Sequence, residues 1–288
     1  MLNRALFERL ALTLWGVGAI TLFAGCGSDN NDEPNIVGPD LPEGPGRVYP
    51  VSDVTFKSID GIAVSGLFGQ QVSGSGPHPV VILVHDVGNS LAGDEWVFSG
   101  LFEELLEGGY GVLAIDMRGH GDTPLPKDGR ENPVLLLSDL PSLHLDVRAG
   151  ITWLRLQGNV DNGRIAVVGN GGGGNVAYVA MGAFPDDLRA GVALSPGLWD
   201  QGLQPLIMGS DLDPFAPHSM LYLVGDQDVL SVSDTESLSY RDFATLLASR
   251  TVSPKNVTTF SGVDAHGIDL LQASEAVDLI LGWLDTHL

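Results

Sequence analysis

Cysteine is almost absent from this chain of 288 residues. Its only cysteine is Cys26, which excludes an intrachain disulfide and every metal site that is built from two or more cysteines. A thiol nucleophile is likewise excluded from the rest of the chain. We also expect no other metal site and no cofactor.

Basic residues are scarce as well. Lys and Arg number 14 against 36 Asp and Glu, so the formal net charge is −22. A surface of this sign repels nucleic-acid phosphates and anionic membranes, and no nucleic-acid partner is expected. After removal of an N-terminal signal, the remaining length allows one large α/β domain rather than two.

The N-terminus lacks an apolar run long enough to span a membrane as a helix. Arg4 and Arg9 come first, and the apolar residues 10–23 follow. This run is shorter than the ~20 residues that a spanning helix needs. A basic start, a short apolar run and small residues at its end are typical of an export signal, which we place at residues 1–26.

The end of this segment, Leu-Phe-Ala-Gly-Cys at residues 22–26, resembles a bacterial lipobox. The resemblance implies cleavage before Cys26 and lipidation of its thiol, although Phe23 stands where the pattern has leucine. An ordinary cleaved signal and an uncleaved anchor are the alternatives. Gly27 after the cysteine favours the outer membrane in sorting of the enterobacterial kind. We expect an exported protein that contacts a bacterial membrane through its lipid only.

Residues 27–50 contain almost no large apolar side chains. Such a segment cannot bury enough surface to offset the entropy lost on ordering, so it is predicted to be a disordered tether. In residues 51–288, by contrast, the apolar runs 79–84 and 110–115 are typical of strands buried on both faces of a parallel sheet. The spacing of apolar residues over 98–106 predicts a helix between them. This alternation predicts an α/β domain with a mostly parallel sheet and helices on both faces.

Several short motifs follow the predicted strands of this domain. They are Val-His-Asp-Val-Gly at 84–88, Asp-Met-Arg-Gly-His-Gly at 116–121, a glycine-rich run at 169–174, Gly-Asp-Gln-Asp at 225–228 and Asp-Ala-His-Gly at 264–267. In this order they resemble the α/β-hydrolase family of the esterase, dienelactone-hydrolase and serine-aminopeptidase kind. The resemblance implies an α/β-hydrolase fold without a large lid domain.

The glycine-rich run resembles the nucleophile elbow of that family but lacks the nucleophile. In Gly-x-Ser-x-Gly, a strand turns sharply into a helix so that the serine hydroxyl is exposed. Here the elbow glycines Gly169 and Gly173 are present, and Gly171 occupies the nucleophile position. No serine, threonine, cysteine or aspartate within the turn replaces the hydroxyl.

The resemblance also assigns the other parts of the site. The order of nucleophile, acid and histidine makes Asp228 the acid and His266 the base; a helix-capping carboxylate and a histidine bonded to a carbonyl are the structural alternatives. The backbone N–H groups of Val87 and Gly172 are expected to form the oxyanion hole. Asp86 replaces a glycine of the oxyanion loop. It either hydrogen-bonds the loop or places a charge that opposes an anionic transition state.

The glycine run has a second interpretation, because Gly-x-Gly-x-x-Gly over Gly169 to Gly174 also matches a dinucleotide-binding fingerprint. That fingerprint normally opens its domain and is followed about 20 residues later by an acidic residue. Here several strands precede the run, and the next strand ends in Leu-Ser-Pro-Gly at 194–197 without a carboxylate. A nucleotide-binding module is therefore the minor alternative.

The sequence leaves three possible functions open. The first is a non-catalytic or very weak esterase-like pseudoenzyme that binds a small ligand or a surface partner. The second is an ester or peptide hydrolase in which His266, supported by Asp228, activates water. The third is a structural lipoprotein that retains only the fold. In subtilisin, loss of the serine alone lowers turnover by ~10⁶. The sequence therefore favours a protein without efficient acyl transfer and leaves open whether it is an enzyme.

Overall fold

The computed structural model describes residues 49–71, 76–87, 91–123, 142–197, 215, 217–233 and 236–288. The predicted signal, its cysteine and nearly all of the predicted tether lie outside these residues. The first strand begins at Val51. No helix within the described ranges combines the length and the apolar character that a membrane span requires.

One mixed sheet organises the domain. Its strands and those of a small ribbon are β1 (Val51–Lys57), β2 (Ala63–Gly69), β3 (His78–Val84), β4 (Gly111–Ile115), β5 (Val160–Asn170), β6 (Ala190–Leu194), β7 (His218–Gly225), β8 (Val229–Ser233), β9 (Glu236–Ser239) and β10 (Val252–Phe260). The sheet has the order β1-β2-β4-β3-β5-β6-β7-β10, and β8 pairs only with β9. The pairs β1–β2 and β2–β4 are antiparallel and the others in the sheet are parallel. The predicted, mostly parallel sheet is confirmed.

Helices cover both faces of this sheet. They are α1 (Glu95–Phe98), α2 (Leu101–Glu107), α3 (His144–Leu154), α4 (Gly172–Ala183), α5 (Tyr240–Arg250) and α6 (Ala276–His287), with 3-10 helices at Ala92–Asp94 and Gly267–Gln272. Leu83 of β3 packs in one core with residues of α2 and α6, whereas its neighbour Ile82 faces α3 near Gly150. Because successive strand side chains point to opposite faces, a strand buried on both sides must be apolar throughout.

The predicted helix over 98–106 is interrupted in the structure. Gly100 has a φ of 82°, in the left-handed region, so α1 ends before it and α2 begins after it. Phe98 is consequently 63% exposed, whereas Leu101 is buried. The apolar period placed Phe98 in the core wrongly because it ignored the backbone conformation that glycine permits.

The region between β7 and β10 contains elements that the sequence pattern did not predict. The ribbon β8–β9 and the helix α5 follow directly after the predicted acid position. Only one side of α5 is buried, and its apolar residues are therefore few. This region brings Tyr240, the first residue of α5, next to the candidate site.

Candidate active site

The candidate site lies where the carboxyl ends of the parallel strands meet. Asp86 follows β3, Gly171 follows β5, Ser195 follows β6, Asp228 follows β7 and His266 follows β10. Residues that are distant in sequence come together at this edge, which is the edge where ligands bind in open α/β sheets.

Asp228 and His266 lie within hydrogen-bonding distance of each other. Nδ1 of His266 is 3.0 Å from Oδ2 and 3.1 Å from Oδ1 of Asp228. The side chain of Asp228 is 3% exposed and that of His266 is 38% exposed. Because an ionised carboxylate can only accept hydrogen bonds, Nδ1 carries the hydrogen. This arrangement leaves Nε2 of His266 as the ring nitrogen that can accept a proton.

Ser195 is a site residue that the sequence analysis missed. Its hydroxyl donates to Oδ2 of Asp228 at 2.6 Å and accepts the backbone N–H of Gly267 at 2.9 Å. The side chain is fully buried, so Ser195 links the acid to the loop of His266 and does not present a nucleophile. The sequence does give one indication of its role, because Ser195 is a polar residue directly after β6, the strand that pairs with β5 next to the elbow.

The turn from β5 into α4 is packed so closely that only glycine fits. Gly171 has a φ of 51° and a ψ of −116°, a conformation that residues with a Cβ rarely adopt. A Cβ on Gly169 would overlap the backbone of Gly173, and a Cβ on Gly173 would overlap the carbonyl oxygens of Val84 and His85. The glycines of the predicted elbow therefore allow α4 to approach the end of β3.

The carboxylate of Asp86 occupies the predicted oxyanion position. Its Oδ1 accepts the N–H of Gly172 at 2.6 Å and the N–H of Val87 at 2.8 Å. A Cβ built on Gly171 would lie 2.5 Å from the same oxygen. No residue of the turn replaces the missing hydroxyl, but Asp86 reaches the turn from another loop. Of the two roles considered for Asp86, the hydrogen bond to its own loop is present, whereas its opposition to an anionic transition state stays a prediction.

The charges of three carboxylates act on the pKa of the His266 imidazole. Burial alone would lower the pKa of His266, but the hydrogen bond and charge of Asp228, with the charges of Asp86 and Asp269, outweigh it and raise the pKa. Burial also raises the pKa of Asp86, against the effects of its N–H donors and of His266. His266 therefore loses its proton at a higher pH than an ordinary histidine does.

Tyr240 forms one wall beside the imidazole. Its ring centroid is 4.3 Å from that of His266, and its backbone N–H donates to the carbonyl oxygen of Asp228. Burial, followed by the charges of Asp228 and Asp86, raises the pKa of Tyr240 to about 12. The phenol therefore stays neutral and restricts the imidazole by packing. The sequence contains no motif around Tyr240 that would have assigned it to the site.

The loop that carries Asp86 is held from two sides. The buried Oε1 of Glu95 accepts hydrogen bonds from the side-chain amide of Asn170 at 3.0 Å and from the backbone N–H of Asp86 at 3.2 Å. On the other side, Nε2 of His85 accepts the N–H of Met117 at 2.9 Å. Burial lowers the pKa of His85 to about 3, so this imidazole is neutral. These contacts fix the position of Asp86.

The alternative of a nucleotide-binding module finds little support here. The N–H of Gly172, at the start of α4, already donates to Asp86, where a phosphate at a helix N-terminus would bind. Among the residues that the structure describes, no group of three or more His, Cys, Asp or Glu side chains is arranged to hold a metal ion.

Comparisons with known proteins agree with this architecture. The curated relatives include Esterase FrsA of Yersinia pestis (strain Pestoides F), which is 31% identical over 152 residues; the match covers 51% of this chain and 32% of that esterase. The chain thus spans about a third of the length of the curated relatives it matches.

Solved structures with the same fold include the Pyrococcus furiosus esterase Pf2001 (TM-score 0.59, 20% identity), with 83% of this chain and 93% of that chain covered. They also include a dienelactone hydrolase from Anabaena variabilis (TM-score 0.59, 17% identity), with 83% of this chain and 99% of that chain covered. The model of the Alpha/beta hydrolase family matches residues 80–281. This match covers well over half of the sequence, and the chain therefore belongs to the alpha/beta hydrolase family.

Proposed function

We propose that this protein is an exported lipoprotein whose α/β-hydrolase domain is an esterase-like pseudoenzyme that binds a small ligand or a surface partner. The observation that supports the proposal is the placement of Asp86, whose Oδ1 accepts both N–H groups of the oxyanion hole. An ester substrate would need these donors when its carbonyl oxygen becomes negative. A tethered anion already takes them, and Gly171 supplies no hydroxyl.

A second candidate is a hydrolase that uses water activated by His266. The intact contact between His266 and Asp228 favours it, because Nε2 is left free to accept a proton. The same Asp86 carboxylate counts against it, since an oxyanion formed by water attack would lie beside a negative charge without its donors. The pseudoenzyme and the water-activated hydrolase are distinguished by whether the wild-type protein hydrolyses an ester.

We expect the wild-type protein to be inactive as an acyl hydrolase. It should not react with a fluorophosphonate probe, because no serine among the residues that the structure describes presents its hydroxyl to His266. It should also hydrolyse p-nitrophenyl butyrate no faster than the His266→Ala variant. Probe labelling on gels and release of p-nitrophenol measure the two properties. Turnover by the wild type that disappears in His266→Ala would establish the water-activated hydrolase instead.

Binding at the same site is tested with a second readout. The imidazole resonances of His266, assigned by comparison with His266→Gln, are followed by NMR during titration with short-chain esters, amides and alcohols. A ligand of the site shifts these resonances and raises the midpoint of thermal unfolding by mass action. If no compound moves them, the domain is better described as the structural lipoprotein considered from the sequence.

The mature protein is expected to begin at a lipidated Cys26 and to sediment with membranes. Several acyl chains are needed, because a single chain gives only marginal membrane binding. Mass spectrometry of the N-terminal peptide identifies the modification, and Cys26→Ser is the matched control, which should leave the protein unprocessed. An unmodified Cys26 in a protein recovered free of membranes would rule out the anchor.

A further inference from the structure

Ser195 has a backbone conformation that glycine adopts far more readily than serine. Its φ is 43°, in the left-handed region, where the Cβ comes close to the following carbonyl oxygen. Among the residues that the structure describes, Ala92 and Ser219 are the other two non-glycine residues with a positive φ. A strained residue of this kind persists only where its surroundings hold it, and such residues are concentrated at functional sites.

The sheet holds the backbone at this position from both sides. The N–H of Ser195 donates to the carbonyl oxygen of Leu223 in β7 at 2.9 Å. The carbonyl oxygen of Leu194, the residue before it, accepts the N–H of Gly171 in the elbow at 2.9 Å. The end of β6 is therefore tied to the elbow on one side and to β7, the strand before the acid, on the other.

The hydroxyl of Ser195 joins two parts of the site that are distant in sequence. It donates to Oδ2 of Asp228 at 2.6 Å and accepts the N–H of Gly267 at 2.9 Å. Gly267 is the residue directly after His266. One hydroxyl thus holds the acid with one hydrogen bond and the loop of the base with the other, and bonds that are linked in this way polarise each other.

The loop that carries His266 is confined on another side by Asn170. A Cβ built on Gly267 would overlap Oδ1 of Asn170, and the φ of Gly267 is 57°, so glycine is required here. The buried Oδ1 of Asn170 has no hydrogen-bond partner among the described residues, and it limits the loop by packing. The directed contact to Gly267 comes from Ser195.

The state of the imidazole depends on the carboxylate that Ser195 holds. Nδ1 of His266 is 3.0 Å from Oδ2 of Asp228, the same oxygen that accepts the serine hydroxyl. Burial lowers the pKa of His266, but the hydrogen bond and charge of Asp228 oppose this effect, and the pKa is raised. A contact of this kind requires that the acid and the histidine loop keep their relative positions.

We infer that Ser195 is a positioning residue, whose hydroxyl holds Asp228 and the loop of His266 together so that Nδ1 donates to the acid and Nε2 remains the basic nitrogen. The left-handed conformation places the hydroxyl between these two groups. This role goes beyond the proposed function, because it concerns the imidazole itself and holds whether the site binds a ligand or converts one.

The Ser195→Ala variant tests the inference, because it removes the hydroxyl and keeps the Cβ with its strained φ. In the full chain, the imidazole resonances of His266, assigned by comparison with His266→Gln, are followed by NMR as a function of pH. We expect the pKa of His266 to fall towards that of an ordinary histidine, because its contact with Asp228 loosens. If the hydroxyl only withdrew charge from Asp228, its loss would instead raise the pKa.

Two further variants separate positioning from stability. Ser195→Gly also removes the hydroxyl but relieves the strain, so its midpoint of thermal unfolding should exceed that of Ser195→Ala, while the pKa of His266 falls in both. Ser219→Ala is the matched control. Ser219 has a φ of 51° and is buried, but it lies at the amino end of β7, away from the acid. This variant should leave the pKa of His266 unchanged.

Three results would overturn the inference. They are an unchanged pKa of His266 in the folded Ser195 variants, a raised one, and an equal fall in Ser219→Ala. If Ser195→Ala fails to fold, as judged by near-UV circular dichroism, Ser195→Gly provides the same test without the strain. None of these results bears on the fluorophosphonate assay, which tests acyl transfer separately.

Discussion

The double variant Asp86→Gly/Gly171→Ser is expected to hydrolyse p-nitrophenyl butyrate and to react with fluorophosphonate, whereas Gly171→Ser alone should remain nearly inactive. In the single variant, the new Cβ would lie 2.5 Å from Oδ1 of Asp86, so the carboxylate and the serine compete for one space. Removing the carboxylate frees the N–H groups of Val87 and Gly172 for the substrate. A single oxyanion-hole donor contributes about 10²–10³ to turnover, and we expect at least that factor between the double and the single variant.

Recovery in the double variant should nevertheless be partial. The φ of 51° at Gly171 is a conformation that costs a residue with a Cβ on the order of 1–3 kcal/mol. The serine proton would be accepted by Nε2 of His266, which Asp228 orients. Asp86→Gly is the matched control, because it opens the oxyanion hole without adding a nucleophile. Equal rates of ester hydrolysis for Gly171→Ser and the double variant would show that the Asp86 carboxylate does not block the oxyanion hole.

The substitution Arg118→Met is expected to lower the free energy of unfolding by about 3–5 kcal/mol, the cost of leaving a buried charge without its partner. The side chain of Arg118 is 1% exposed and that of Asp146 is fully buried. Nη2 of Arg118 donates to Asp146 at 2.6 Å, and Nη1 donates to Asp60 at 2.5 Å. Urea unfolding followed by circular dichroism measures the loss.

The pH dependence of this loss has a definite sign. Burial already raises the pKa of Asp146, and the hydrogen bond of Arg118 opposes that effect. Without the guanidinium, the pKa of the folded state rises further, so the carboxyl is more easily neutralised. The difference in stability between the variant and the wild type should therefore shrink as the pH falls.

A surface arginine provides the comparison for Arg118→Met. Arg164 pairs with Asp161 at 2.7 Å, but their side chains are 41% and 29% exposed. Exposed pairs of this kind contribute roughly 0–1 kcal/mol, and Arg164→Met should change the free energy of unfolding by no more than that. Similar losses in the two variants would mean that the buried ion cluster around Arg118 has no special role.

Much of the fold was predictable because its signals are local. The runs at 79–84 and 110–115 are apolar at every position, since strands in the middle of this sheet are buried on both faces. The prediction was wrong at Phe98, where a left-handed glycine changed the direction of the chain. It also missed α5, whose mean character is polar because one side faces solvent and only a few residues, such as Phe243, are buried.

Part of the candidate site was predictable for a different reason. Gly169, Gly173, Asp228 and His266 occupy motif positions at strand ends, and the order of the strands brings those ends together. Ser195 and Tyr240 carry no motif and were missed, although both contact the acid or the base. Their placement depends on which strand and helix lie next to the site, which a local pattern does not encode.

The sequence by itself determined the frame of the site, namely an elbow of glycines without a nucleophile and an acid and a histidine after later strands. Only the tertiary structure decided what occupies that frame. Val84 is paired with Gly169 in the parallel register of β3 and β5, so residues two positions further along each strand, Asp86 and Gly171, come to lie side by side. That register is set by the packing of both sheet faces, which is why the carboxylate of one loop and the missing side chain of another could be related only in three dimensions.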